Sequence, residues 1–255
     1  MSGRKMALVA VCLTGFCLST IQAGDRKELI ALVDKAVKVM GGAEKLAKLK
    51  TITCRSKGSL FVPGEIPVIE EGWMLFPNKF RHDFELEVNG VKVKQNLVID
   101  GDKGWLKLMD NKAAALSKAQ KSAFRAYFYA LRLATMPMEL KGKEYKLSTV
   151  GEVKVGDRPA IGIQIVRKGL PDVNMFFDKE KGYPIKSEFT AIDYLSGVEC
   201  VHEFLYSAYK EVEGLPGLPV YTRMLWNKDG KKFADREVTE VKALESIDNG
   251  QFAEP

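Results

Sequence analysis

The sequence predicts a mainly β fold, in which one curved, barrel-like antiparallel sheet is covered by a helical lid. Apolar and charged residues alternate with period two over most of the chain after residue 50, which is the pattern of strands with one buried face. Turn pairs such as Asn89-Gly90 and Asp229-Gly230 separate these segments. A segment with three- and four-residue apolar spacing precedes the alternation and indicates a helix. A second helix, apolar on nearly all sides, interrupts the alternation at 116–140.

A secretory signal peptide is predicted over residues 1–23. Arg4 and Lys5 precede an apolar run, and the small residue Ala23 stands at the proposed cleavage point. The apolar run is too short to span a membrane as a helix. We therefore expect an exported mature chain of residues 24–255, and regard acylation of a cysteine at the cleavage site as the weaker alternative.

Composition and charge favour one ordinary globular domain over residues 24–255. Loss of Arg4 and Lys5 with the signal peptide lowers the formal net charge from +6 to +4. The remaining basic residues alternate with acids rather than forming a block, which is typical of a solvated sheet face, so no nucleic-acid partner is expected. No linker or fixed-period repeat divides the mature chain, and all-β domains of this length are common.

The first element after the signal peptide is an amphipathic helix. Asp25 can cap it, its apolar stripe runs from Leu29 to Met40, and Gly41-Gly42 ends it. A further turn follows over 43–50. Strands are then predicted at 51–62, 66–76, 79–88, 91–100 and 105–109, and, after a mid-chain helix, at 146–155, 159–167, 172–178, 184–193, 198–210, 219–227 and 231–244. About twelve strands in one antiparallel sheet must coil, because strand twist accumulates across it.

The segment 79–88 shows the strand alternation most clearly. Its predicted inward residues are Phe80, His82, Phe84, Leu86 and Val88, and the charged residues between them face outward. Asn89-Gly90 suits a tight hairpin turn, because both positions require positive φ angles. The partner strand is expected to place Val91, Val93, Leu97 and Ile99 on the same inner face.

The segment 116–140 predicts a long helix that is apolar on nearly all sides. Its large apolar residues include Phe124, Tyr127, Phe128, Tyr129, Leu131 and Leu133. Arg125 and Arg132 mark its one polar stripe, and Pro137 is expected to kink or end it. Because this helix interrupts a strand meander, it is the candidate lid over the concave face of the sheet.

Few residues suggest chemistry. His82 and His202, the 2 histidines of the chain, fall on inward faces, and a metal site normally needs three or four ligands. We therefore expect buried core histidines and no metal. No nucleophile elbow or phosphate loop occurs, so no catalytic residue, enzyme activity or cofactor is expected. Cys54 and Cys200 could form a disulfide in an exported protein; the alternative is two small buried apolar side chains.

Short motifs over most of the mature chain carry a family resemblance. They are Pro77-Asn78-Lys79-Phe80-Arg81, the turn Asp100-Gly101 followed by Trp105, the strand-turn-strand segment 176–186 and the ending 247–255. Together they resemble periplasmic outer-membrane lipoprotein-sorting carriers of the LolA type, in the LolA/LolB-like superfamily. The motif residues taken from this resemblance are Pro77, Arg81, Asp100, Gly101 and Trp105. The chain departs from the carriers at Phe76, where they have an arginine that latches the lid.

The resemblance implies an unclosed antiparallel barrel in the periplasm whose cavity shelters the acyl chains of lipoproteins or lipids. It also implies envelope export machinery or an outer-membrane acceptor as a protein partner. An acyl chain needs an extended apolar pocket, since each buried methylene contributes roughly 0.8 kcal/mol. The residues expected to form this pocket are Phe80, Phe84, Leu86, Leu97 and Ile99 on the sheet, and Phe124, Tyr127, Phe128 and Leu131 on the helix.

Two alternatives stand beside the carrier hypothesis. The apolar faces of helix and sheet could pack tightly as a core with no space for a ligand. In that case the same fold would serve as a non-transporting envelope sensor or scaffold that binds a protein partner. A continuous hydrophobic cavity and co-purifying lipid would distinguish the carrier from the scaffold.

Overall fold

The computed structural model describes residues 26–211 and 215–255, and these form one antiparallel sheet of thirteen strands with helices packed on it. The predicted signal peptide and the predicted helix cap at Asp25 lie outside the described residues. The sheet is a curved, open half-barrel that does not close. The predicted mainly β fold with a helical cover is therefore confirmed.

The elements follow the predicted order closely. The strands are β1 Thr51–Phe61, β2 Glu65–Leu75, β3 Lys79–Val88, β4 Val91–Asp100, β5 Lys103–Leu108, β6 Ala114–Ala115, β7 Lys146–Val155, β8 Arg158–Val166, β9 Val173–Asp178, β10 Pro184–Ile192, β11 Glu199–Glu211, β12 Pro219–Lys228 and β13 Lys231–Ala243. The helices are α1 Arg26–Val39, α2 Ala43–Leu46 and α3 Lys118–Thr135, with 3₁₀ turns at Ala47–Lys50, Pro137–Lys141 and Asn249–Phe252. Strand β6 was not predicted, because two residues are too few to show an alternation.

The strands pair as two meanders that meet at the middle of the sheet. Their order is β6-β5-β4-β3-β2-β1-β13-β12-β11-β10-β9-β8-β7. The first and last strands are therefore neighbours, with Cys54 opposite Val241 and Lys57 opposite Glu237. The two edges of the sheet are β6 and β7, and the chain between these edges forms α3.

The β3–β4 hairpin has the predicted register and turn. Asn89 and Gly90 have φ angles of 52° and 77°, and Phe80 lies opposite Ile99. The prediction that Val91 faces the interior is wrong, because Val91 is 57% exposed. Val91 lies at the tip of the hairpin, directly after the Asn89-Gly90 turn.

Helix α3 begins and ends where its sequence dictates. Ser117 and Gln120 form a capping box at its start, so the helix begins slightly later than predicted. Pro137 follows its last residue and starts the 3₁₀ turn, which confirms the predicted termination. Helix α1 packs against this turn and against β7.

Among the described residues, no helix combines the length and the apolar character that crossing a membrane requires.

Candidate functional site

The candidate site lies between α3 and the concave face of the sheet. The Phe128 ring of α3 stacks on the Phe80 ring of β3, with the ring centroids 3.4 Å apart. Tyr127 packs edge-on against Trp226 of β12 at 5.0 Å, and Leu133 is fully buried. Helix α3 is therefore part of the main hydrophobic core in this structure.

A cavity of about 70 Å³, here called the aromatic cavity, lies under α3 between β3–β4 and β11–β13. The residues of the predicted pocket that line it are Phe84, Leu86, Leu97, Phe124, Tyr127, Phe128 and Leu131. Phe80 and Ile99 are buried but do not line this cavity. The structure thus brings most of the predicted residues to one surface, and their role in binding lipid stays a prediction.

A second cavity of about 80 Å³, here called the aliphatic cavity, lies towards α1. Met40, Ile52 and Phe76 contribute to its largely apolar wall. Leu131 lines both cavities, so this one side chain of α3 lies between them. Sequence reasoning missed the aliphatic cavity, because its walls come from six separate segments of the chain.

The two cavities are too small to hold an acyl chain in the structure as it stands. Each has about half the volume of the roughly 150 Å³ apolar cavity that accepts one benzene molecule. A longer apolar ligand requires the cavities to merge, and the side chain that separates them belongs to α3. Any binding of a long chain here must therefore move α3 or at least the Leu131 side chain.

A buried ion pair lies beside the aromatic cavity, and one of its members, Arg236, lines that cavity. The Glu70 carboxylate lies 2.7 Å from the Arg236 guanidinium, and their side chains are only 5% and 12% exposed. Ser56 donates a hydrogen bond of 2.9 Å to Glu70. Sequence reasoning did not single out this pair, although the alternation from Val68 to Met74 places Glu70 on the inward face.

His82 lies beside this ion pair without a hydrogen-bond partner of its own. Its Nε2 atom is buried and unpaired within the described residues. Burial, and secondarily the positive charge of Arg236, lower the pKa of His82 to about 3. Gly72 leaves room for the ring, since a Cβ atom there would lie 3.1 Å from His82 Nε2. The predicted buried histidine is confirmed, and it is neutral at ordinary pH.

His202 is also buried, but it has hydrogen-bond partners. Trp226 Nε1 donates to His202 Nδ1 at 3.1 Å, and Cys200 Sγ lies 3.2 Å from His202 Nε2. Burial and the nearby Lys228 lower its pKa to about 4.

Within residues 26–211 and 215–255, no group of three or more His, Cys, Asp or Glu side chains could hold a metal ion. Cys54 and Cys200 are free thiols in this structure, so the disulfide alternative is not adopted.

The motif turns lie side by side and hold α3 from outside. The backbone amide of Gly101 donates to the carbonyl of Asn78, which follows Pro77, at 3.0 Å. Arg125 of α3 donates to the Gly101 carbonyl and to Asp102 Oδ1, the latter at 2.8 Å. Lys121 Nζ donates to the Asp102 carbonyl at 2.8 Å. These contacts tie the helix to the turn between β4 and β5.

The other motif residues lie away from the two cavities. Arg81 pairs with Asp83 at 2.8 Å and lies over the Trp73 ring. Asp100 forms an ion pair with Lys79 at 3.0 Å. Trp105 is half-buried and lies opposite Val98 in the sheet. These contacts stabilise strand positions, and none of them reaches the helix.

Comparisons with known proteins find similarity in structure alone. No protein-family model matches the chain, and no curated protein matches its sequence. A LolA superfamily protein from Nitrosomonas europaea superposes with a TM-score of 0.57 at 11% identity, over 88% of this chain and 96% of the other. The two proteins thus share a fold at very low sequence identity.

Two further structures agree with this similarity. A domain assigned to outer membrane lipoprotein sorting, from Vibrio parahaemolyticus, has a TM-score of 0.52 at 11% identity, with 86% of this chain and 97% of the other covered. A DUF1329 family protein from Desulfovibrio piger has a TM-score of 0.53 at 12% identity, with coverages of 88% and 96%. The chain therefore has a LolA-like fold, which confirms the resemblance predicted from its motifs.

Proposed function

We propose that the protein is an exported periplasmic carrier that shelters acyl chains of lipoproteins or lipids under α3. One observation carries this proposal: two cavities with mainly apolar walls flank a single side chain, Leu131, beneath a helix that belongs to no sheet ladder. A small shift of that side chain would join the cavities into one longer space. The LolA-like fold supports the proposal, because some proteins that share it are assigned to lipoprotein sorting.

Loading requires a limited displacement of α3 rather than its release. Each large apolar side chain that the helix buries contributes roughly 1.5–3 kcal/mol, so complete detachment of Phe124, Phe128 and Leu133 would be too costly. A hinge motion that moves Leu131 keeps most of these contacts. Gly142 and the turn 109–113 flank the helix and its 3₁₀ turn, so they are the natural hinge positions.

A second candidate function is a non-transporting envelope scaffold that binds a protein partner. The observation that favours it is the packing under α3, where Ala130, Leu133 and Ala134 are fully buried. In that function the interior stays filled and the exposed surface binds the partner. Export machinery or an outer-membrane acceptor would be a partner under the carrier function.

Mass spectrometry of organic extracts tests the carrier proposal. The full chain is exported in its natural form, purified without detergent and extracted, and an unrelated exported protein is processed in parallel. The carrier proposal predicts lipid in near-stoichiometric amount in the first extract alone. Equal, trace amounts in both extracts would contradict it and favour the scaffold. N-terminal sequencing of the same sample is expected to begin at Gly24.

A further inference from the structure

A cationic pocket of about 310 Å³ lies where the outer side of α3 meets the Pro77-Asn78 turn and the end of β8. We call it the basic pocket. Its charged lining residues are Arg125, Arg132, Arg167 and Lys168, and no acidic side chain is among the residues that line it. The pocket is distinct from the aromatic and aliphatic cavities, since it shares no lining residue with either of them.

Two of the four cations are neutralised by neighbouring carboxylates. Arg125 pairs with Asp102 at 2.8 Å, and Arg132 pairs with Glu139 through two contacts of 2.6 Å and 3.0 Å. The Arg132 side chain is only 14% exposed, so it is less solvated than the predicted polar stripe implied. These pairs fix the two guanidinium groups in place.

The other two cations have no such compensation. Arg167 donates to the Tyr145 hydroxyl at 3.2 Å, and its guanidinium lies 5.2 Å from the centre of the Tyr145 ring. Within the part of the chain that the structure describes, neither Arg167 nor Lys168 forms an ion pair with a carboxylate. The basic pocket therefore has two positive charges in excess.

Tyr129 adds an unsatisfied polar group to the wall of the basic pocket. It is 4% exposed, and its buried hydroxyl has no hydrogen-bond partner among the described residues. A buried hydroxyl without a partner destabilises the folded protein, because its lost hydration is not replaced. Such a group is most readily explained by a ligand or an ordered water that the pocket receives.

We infer that the basic pocket binds a phosphate group. A phosphate monoester has a charge of about −1.5 to −2 at neutral pH, which matches the two uncompensated cations, and arginine guanidinium groups suit its oxygen atoms geometrically. Phe80 lines the basic pocket and stacks on Phe128, which lines the aromatic cavity. If the proposed carrier function holds, on which this last step rests, a lipid that ends in a phosphate monoester, such as phosphatidic acid, places its phosphate in the basic pocket and its chains beyond Phe80.

Binding of three soluble probes by calorimetry tests the inference. Dihexanoyl phosphatidic acid has both phosphate and chains, glycerol 3-phosphate has the phosphate alone, and dihexanoylglycerol has the chains alone. The variant Arg167→Gln/Lys168→Gln removes the excess charge, and Lys168→Gln alone keeps the Tyr145 contact. The control Arg223→Gln/Lys232→Gln removes the same charge from an exposed pair of residues beside Asp235.

The expected result is at least tenfold weaker binding of phosphatidic acid by the double variant, an intermediate loss for Lys168→Gln and less than a twofold change for the control. Equal losses in the pocket and control variants, or no loss in either, would overturn the inference. Binding of glycerol 3-phosphate as tight as that of phosphatidic acid would support the phosphate site with a free phosphate as its source, and would count against the carrier. Charge-independent binding of dihexanoylglycerol and phosphatidic acid alike would support the carrier and overturn the phosphate site.

Discussion

Arg125 on α3 donates to Asp102 Oδ1 at 2.8 Å, and so connects this helix to the turn that follows β4. The motif resemblance implies a latching arginine immediately before Pro77, where this chain has Phe76. Here the arginine is on the helix, and its acceptors, Asp102 and the Gly101 carbonyl, are on the sheet side. We predict that this contact, here called the latch, restrains α3 against the sheet.

Replacing Arg125 by Met should loosen α3 without unfolding the protein. The Asp102 side chain is fully exposed and that of Arg125 is 38% exposed, and such ion pairs contribute about 0–1 kcal/mol. We expect backbone amides of α3 to exchange several-fold faster in hydrogen-exchange mass spectrometry, with a melting temperature close to that of the parent. Bound lipid should slow this exchange again.

Arg55→Met is the matched control for the latch. Arg55 pairs with Glu71 at 3.0 Å on the outer surface of β1 and β2, with no contact to α3. This variant should leave exchange in α3 unchanged. Equal exchange in the parent and the Arg125→Met variant would show that Arg125 is no latch.

Replacing Phe84 by Glu should abolish binding of a fluorescent lipid probe. Phe84 lines the aromatic cavity, and an unpaired carboxylate there would lose its hydration without gaining a partner. Glu85→Gln is the control, because Glu85 lies on the opposite face of β3 and pairs with Lys92 at 2.6 Å. Circular dichroism must show that both variants fold; equal binding by two folded variants would refute the cavity assignment.

Replacing Leu131 by Ala should join the aromatic and aliphatic cavities. Its half-buried side chain separates them, so its truncation is expected to destabilise the protein by about 2 kcal/mol and to favour longer acyl chains over shorter ones. Leu133→Ala is the control, since Leu133 is fully buried and lines neither cavity. That control should lose as much stability or more, with unchanged chain-length preference. The same shift in preference for both variants would contradict the role of Leu131.

Acid should destabilise the protein through its buried histidines. Burial lowers the pKa of His82 to about 3 and that of His202 to about 4, below the value of about 6.5 for an unfolded chain. Between these values the unfolded chain binds more protons than the folded one, so the free energy of unfolding falls as the pH falls. Each histidine adds a slope of up to about 1.4 kcal/mol per pH unit.

Urea unfolding between pH 5 and pH 7 measures this slope. His82→Leu removes one of the two histidine contributions, and the carboxyl groups cancel because parent and variant share them. The free energy of unfolding of the variant should therefore change less steeply with pH, by up to about 1.4 kcal/mol per pH unit, which corresponds to one proton. A slope identical to that of the parent would mean that His82 titrates in the folded protein as it does in the unfolded chain, and would contradict its lowered pKa.

The sequence predicts elements whose signal is local. The alternation in β3 and the all-round apolar character of α3 are each visible within about ten to twenty residues, and both predictions hold. The alternation is weaker in β13, where Arg236 occupies an inward position between Ala234 and Val238. Its partner Glu70 lies in β2, so neither segment alone shows that the two charges neutralise each other.

Features assembled from distant segments could not be predicted. The pairing of β1 with β13 joins residues such as Cys54 and Val241, and no spacing within either strand encodes it. The basic pocket likewise combines α3 with Arg167 and Lys168. In the sequence these cations look like ordinary solvated residues, and only the folded chain brings them together.

The pairing of β1 with β13 also constrains when this protein can fold. The strand made first needs the strand made last as its neighbour, so the centre of the sheet cannot assemble until nearly the whole polypeptide has been delivered. Contacts between such distant segments form slowly, and an unpaired strand edge is an aggregation hazard in the interval. A chain released before residue 231 would lack β13 altogether, and β1 would keep that edge exposed permanently.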